Sequence, residues 1–200
     1  MTNTPVSPSA TSDDPRAQRS RQRLADALRT MLQAEDLGDI GVAELCRAAG
    51  VHRTTFYGHY ASVGDLAADV YATMLDEASA VEPFTASPSE SSQVYVDQMV
   101  ELLDAVLRER TAIRALLESS VSLGFRKRLR QRYLDRMQMA VDVLRANGAD
   151  VPEDSTVGVA FMAGGIASAL ELWAASDDTD SRAFGRQVLA SMPRWWPSPA

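Results

Sequence analysis

The stretch Ala43 to Tyr60, AELCRAAGVHRTTFYGHY, restricts the fold more than any other part of the chain. Leu45 and Ala49 lie one helical turn apart. Gly50 follows, a residue able to take the left-handed conformation that ends a helix. Val51 fills the corner, and a second helical pattern begins in which Phe56 and Tyr60 are four apart and can face a core. His52, Arg53, Thr54 and Thr55 open that second helix with four hydrogen-bonding side chains, and Tyr57 and His59 lie on its other faces. This is the layout of a helix-turn-helix, whose second helix presents its first side chains to base edges in the major groove of DNA.

Charge follows the same division. The 200 residues, 46% of them apolar, suffice for a sizeable core in one compact unit or two small ones. The net charge of −7 argues against a protein that coats nucleic acid indiscriminately. Residues 16–60 nevertheless hold seven arginines (16, 19, 21, 23, 29, 47 and 53) against five acids, a net of +2, while residues 61–200 carry a net of −7. A mildly basic head on an acidic body suits site-specific DNA binding with weak non-specific affinity. The single cysteine, Cys46, excludes an intramolecular disulfide and reads as a small buried residue or, alternatively, a redox sensor. Without an 18-residue apolar run, no transmembrane helix is expected. Without a basic-then-apolar leader, the expected location is cytoplasmic.

The rest of the chain is helical in pattern, with no sustained strand alternation. Residues 1–15, rich in Ser, Thr, Pro and Asp, predict a disordered arm. A first helix is expected over Arg16 to Ala34, with Leu24, Ala27, Leu28, Met31 and Leu32 at helical spacing. Val42 to Ala49 and Arg53 to Tyr60 follow. Ser62, with Asp65 three residues on, caps a fourth helix. Glu82 to Ser92 reads as a loop and domain seam. Further helices carry the stripes Val96 to Leu107, Ile113 to Leu117 and Phe125 to Leu144, the last stopped by Asn147-Gly148. Ser155 is expected to cap Thr156 to Ala175, and a last helix runs from about Ser181 to Ser191. The expected organisation is an arm over 1–15, a DNA-binding domain over 16–61, a connecting helix over 62–82, and a ligand-binding and dimerisation domain over 83–200.

Thr156 to Ala175, TVGVAFMAGGIASALELWAA, is polar only at Ser168 and Glu171 beyond its first residue. A helix apolar on nearly all sides is buried on nearly all sides. It is either a homodimer seam or an internal core helix. Gly158, Gly164, Gly165 and Ala169 would let another helix approach, offsetting about 1 kcal/mol of helix propensity per glycine. Val157, Phe161, Gly164, Gly165, Ser168 and Leu172 are the candidate interface residues.

Residues Arg19 to Leu66 resemble the TetR family of bacterial transcriptional regulators. The resemblance is carried by RxRLADAL, a glycine-bearing loop, VAELCRAAGV, and TTFYGHYxSxxDL. It implies an all-α fold: a three-helix helix-turn-helix domain joined by a fourth helix to a helical ligand-binding and dimerisation domain. The last two long helices of each subunit would build a four-helix dimer bundle. A small molecule would shift the fourth helix, separate the recognition helices and release the operator. Arg53, Thr54, Thr55, Tyr57 and His59 match the family's DNA-contacting positions, and His52 and Arg47 adjoin them. Arg53 can pair with guanine O6 and N7, the Thr54 or Thr55 methyl can meet a thymine methyl, and Tyr57 and His59 suit phosphates. Two positions depart from the family pattern. Gly41 stands where a capping Thr or Ser is common, and Val63 where a lysine is usual, leaving Arg47 and the N-terminal arginines for phosphate contacts.

The implied function is a ligand-responsive, homodimeric repressor released from a near-palindromic double-stranded DNA operator by a small molecule. Alternatives are an activator of the same fold, one controlled by a protein partner, or, remotely, a helical enzyme. No catalytic constellation, cofactor motif, metal site or membrane partner is expected; His52 and His59 lack the companions a metal needs. Met99, Met137, Met139 and Met162 suit a largely apolar effector and suit a core equally. Tyr133 and Trp173 read as pocket lining or as core, and Trp195 and Trp196 as a cap on the bundle. The run Arg126 to Arg132 reads as a solvated helix face, with an anionic ligand or second DNA contact as the alternatives.

Overall fold

A computed structural model describes residues 15–79 and 88–197. The described residues are all-helical, in the order α1 (Pro15–Met31), α2 (Val42–Ala49), α3 (Arg53–His59), α4 (Val63–Ala78), α5 (Pro88–Arg108), α6 (Arg110–Glu118), α7 (Ser122–Ala146), α8 (Thr156–Ala175) and α9 (Ser181–Ala190). The chain divides into two compact units between Leu66 and Ala67, within α4. The expected disordered arm lies outside the described residues except for Pro15, which opens α1. Proline fits a first helical position because its missing N–H would find no intrahelical partner there.

The first unit buries Leu24 and Leu28 of α1, Ile40, Leu45 and Cys46 of α2, Phe56 of α3, Tyr60, Val63 and Leu66. α1 ends three residues before the expected Ala34, because Ala34 and Glu35 both turn back to donate to the Met31 carbonyl. α4 starts as its sequence predicts. The Ser62 hydroxyl accepts from the Asp65 N–H at 3.1 Å and itself donates to the Asp65 carboxylate at 3.0 Å.

In the second unit α8 is the hub, packing against α5, α6, α7 and α9. Its buried residues, Val159, Met162, Ala163, Ile166, Ala167, Leu170, Trp173 and Ala174, recur every three or four positions and form one face. Trp173 is fully buried, donates from Nε1 to the Leu103 carbonyl at 3.0 Å and packs its ring 4.8 Å from Phe184. Of its two readings, core is the one realised. Met162 is core as well. By length and composition α8 could cross a bilayer, contrary to the expectation that no run reaches that length. Ser168 and Glu171 do not lower its mean hydropathy enough; one face of the helix packs on four neighbouring helices.

Two further expectations need correction. α5 begins at Pro88, inside the segment read as a loop to Ser92, again with a proline at the first helical position; residues 82–87 of that segment lie outside the described residues. α8 is capped by Asp154, whose Oδ1 accepts from the Thr156 N–H at 3.0 Å, and not by the Ser155 side chain, whose Oγ accepts from Arg145 at 3.3 Å. That N–H bond holds the Asp154 carboxyl below its usual pKa. The other end of α8 is closed from a distance. The Arg114 guanidinium donates to the carbonyls of Ala174, Ala175 and Ser176 and to the Asp177 carboxylate at 2.6–3.1 Å, satisfying the orphan acceptors of a helix C-terminus.

Candidate nucleic-acid interface and ligand cavity

The corner between α2 and α3 is built by Gly50. Its φ of +63° lies in the left-handed region. The Gly50 N–H donates to the Arg47 carbonyl at 3.3 Å and the Val51 N–H to the Cys46 carbonyl at 3.0 Å, the paired bonds of a glycine-terminated helix. α3 then starts at once from the extended His52. Phe56 anchors it to the core, edge-on to Tyr57 and tilted against Tyr60. With Phe56 inward, His52, Arg53, Thr54 and Tyr57 are exposed, as is Arg47 on α2, while Thr55 and His59 are half-buried. Arg53 makes no hydrogen bond or ion pair with any described residue, so its five donors are available. Cys46 is buried; burial pushes its thiol pKa up, with Arg53 partly opposing. A protonated, enclosed thiol is a poor redox sensor.

Gly41 precedes α2 without a side-chain cap, as its lack of a hydroxyl dictates. Val63, where a lysine was expected on resemblance, is buried in the core of the first unit. The position contributes apolar area here and cannot reach a phosphate.

The face of α8 opposite its buried stripe is open in the single chain. Val157, Phe161, Gly165, Ser168 and Leu172 are exposed and Gly164 half-exposed, a continuous apolar strip along the helix. A β-carbon added at Gly164 or Gly165 would meet nothing within 4 Å. Gly158 differs: a β-carbon there would come within 2.9 Å of the Trp195 ring, so this glycine seats a tryptophan rather than a second helix. Arg126 and Glu171, paired at 2.8 Å, border the groove beside Phe161, Gly164 and Gly165. The basic run is thus not simply solvated. Arg126 is paired, and Arg132 reaches Thr73 at 2.9 Å and Asp76 at 3.4 Å on α4.

A cavity of about 370 Å³ lies inside the second unit, walled by α5, α7, α8, α9 and the chain after α9, with Ser79 after α4. Met99, Leu102, Met137, Ile166, Leu189 and Trp196 give it an apolar wall. Trp196 is buried with its ring 4.7 Å from Tyr95 and closes one part of the wall. Polar groups gather where Ser79, Tyr133 and Arg136 meet. Arg136 donates to the Asp76 carboxylate at 2.8 Å and to the carbonyls of Asp76 and Ser79, both at 2.7 Å. Burial pushes the Tyr133 phenol well above its usual pKa; Ser79 and Arg136 nearby offset part of the rise, and Asp76 adds to it. Ser79 lies close to the phenol but falls short of hydrogen-bond geometry, leaving the Tyr133 hydroxyl buried without a partner among the described residues. Sequence spacing flagged Met99, Tyr133, Met137 and Met139, which line the cavity; it missed Arg136, which lies beyond the basic run Arg126 to Arg132 and carries no local signal.

Solved structures decide the architecture. The structure of RolR bound to resorcinol superposes with a TM-score of 0.60 at 17% identity, covering 88% of this chain and 89% of that one. The fold is that of a TetR regulator. RolR without ligand matches at a TM-score of 0.58 and 15% identity, over 84% of this chain and 88% of RolR. A TetR transcriptional regulator from Rhodococcus sp. RHA1 matches at 0.55 and 17%, over 89% of this chain and 99% of that one. No protein-family model and no curated protein matches the sequence. The TetR fold therefore rests on architecture, and the chemistry on this chain's own residues.

Proposed function

We propose that this TetR-fold chain is a ligand-responsive, homodimeric transcriptional regulator, a repressor that a small molecule releases from a near-palindromic DNA operator. The observation that carries the reading is the exposed opening of α3: His52, Arg53, Thr54 and Tyr57 project from a helix pinned by Phe56 and set by the Gly50 corner. Arg53 reads a guanine, Thr54 and Thr55 meet a thymine methyl or a phosphate, and Tyr57, His59, His52 and Arg47 position the backbone. Residues 16–61 bind DNA, 62–82 connect, and 83–200 hold the effector and the dimer seam. The apolar strip Val157, Phe161, Gly164, Gly165, Ser168 and Leu172 supports a twofold interface in which the same strip meets itself. The cavity supports an effector, and RolR's resorcinol suggests a small ring compound as its kind.

Selection from random double-stranded oligonucleotides, followed by gel-shift titration, tests the reading. The expected product is a near-palindrome with half-sites about one helical turn apart. Failure to enrich any sequence would overturn it.

A further inference from the structure

The Tyr133 ring lines the cavity, the side chain is 1% exposed, and its hydroxyl lacks a partner among the described residues. A buried phenol ordinarily finds an acceptor. The groups around it are engaged elsewhere. The Ser79 hydroxyl shares its one proton between the carbonyls of Leu75 and Asp76, 3.0 and 2.9 Å away, and its oxygen, though near the phenol, lies outside hydrogen-bond geometry with it. Arg136 offers only donors. The Asp76 carboxylate is held from both sides, by Arg136 at 2.8 Å and Arg132 at 3.4 Å. With its pKa raised by burial, the phenol keeps its proton at neutral pH and remains a donor.

The charges along the wall are matched as well. Arg136 is neutralised by Asp76, and Asp142 lies 3.3 Å from Arg145. A charged occupant would have to break one of these pairs or be buried uncompensated, and either is costly. Apart from the uncharged Gln98, the remaining wall is built mainly of apolar side chains, and a volume of about 370 Å³ falls at the small end of ligand pockets.

We propose that the cavity takes a neutral, apolar molecule of one or two rings bearing a hydrogen-bond acceptor, and that the Tyr133 hydroxyl donates to that acceptor. The proposal deepens, and rests on, the reading of this cavity as the effector site. Arg136 shapes the polar corner while staying bound to Asp76.

Isothermal titration of the full chain with three probes tests it: acetophenone, which offers a carbonyl; ethylbenzene, which does not; and benzoate, which is charged. The wild type should prefer acetophenone to ethylbenzene by about tenfold, the worth of one hydrogen bond, and bind benzoate weakest. Tyr133→Phe keeps the ring and removes a hydroxyl without a partner, so it should fold as the wild type does. It should reduce acetophenone to the level of ethylbenzene and leave ethylbenzene within about twofold. A variant that retains the preference, a wild type that binds neither neutral probe or binds both equally, or benzoate as the tightest probe would each overturn the proposal. The same probes added to the complex with selected DNA separate the two readings. A preserved acetophenone preference with no DNA sequence recognised refutes the regulator and leaves the cavity chemistry standing. Recognised DNA with benzoate or hydrocarbon preferred does the reverse.

Discussion

Replacing Phe161 by Glu should break self-association without unfolding the chain. In the single chain Phe161 keeps 66% of its surface in water, so this much remains for a second copy to cover. Fully burying a phenylalanine is worth about 1.5–3 kcal/mol, and two-thirds of that is about 1–2 kcal/mol. A twofold axis counts each substitution twice, so the dimer loses about 2–4 kcal/mol, which raises its dissociation constant roughly 30- to 1,000-fold. The carboxylate's own desolvation makes this a lower bound. Sedimentation equilibrium over a range of concentrations reads the constant, and far-ultraviolet circular dichroism checks that the helices remain. A folded Phe161→Glu chain whose constant stays within about threefold of the wild type would refute α8 as the seam, because no twofold interface over this strip can avoid Phe161.

Other perturbations separate further parts of the argument. Arg53→Ala should lower affinity by about 1–3 kcal/mol and relax the preference at one base position, whereas Tyr57→Phe should weaken binding to all sequences alike, both measured by gel shift on a panel of single-base operator variants; equal loss on every sequence from Arg53→Ala would exclude direct readout. Arg114→Ala frees three carbonyls at the end of α8 and should cost about 1–3 kcal/mol, seen as a melting temperature several degrees lower by calorimetry. Hydrogen bonding and charge from Arg114, with Arg110 adding to them, hold the exposed Asp177 carboxyl below its usual pKa. That ion pair's contribution is present above the ordinary carboxylate range and disappears as the pH falls through the lowered value, so the wild-type advantage over Asp177→Asn should vanish in acid thermal melts. Gly158→Ala should lose the roughly 1 kcal/mol that alanine normally brings to a helix, because its methyl meets the Trp195 ring, while Gly165→Ala, in open space, should retain it in the isolated chain; equal melting temperatures for the two would contradict the seat at Gly158.

What the sequence made legible is what neighbours along the chain decide. Gly50, Phe56 and the Ser62–Asp65 cap act within one turn of themselves, and α2, α3 and the start of α4 stand where their spacing puts them. The start of α5 was obscured because Pro88 and the serines after it carry the composition of a loop, although proline at a first helical position is favourable. The cap of α8 was misplaced by one residue because Asp154 and Ser155 can both do the job, and Arg145 takes Ser155. The closure of α8 by Arg114 spans some sixty positions, and no local pattern reports it. Nor does periodicity distinguish an arginine on the surface from Arg136, which is folded back onto Asp76 beside the cavity.

The placement of the tryptophans has an optical consequence. All three, Trp173, Trp195 and Trp196, belong to the unit that begins at Ala67, and the unit that carries α2 and α3 has none. Emission excited at the red edge of the protein spectrum therefore reports on the larger unit alone, and denaturation followed that way is blind to the head. Circular dichroism sees the helices of both. Superimposable curves from the two probes would mean that the head and the body melt as one cooperative unit; an earlier dichroism transition at constant emission would give the stability of the head by itself.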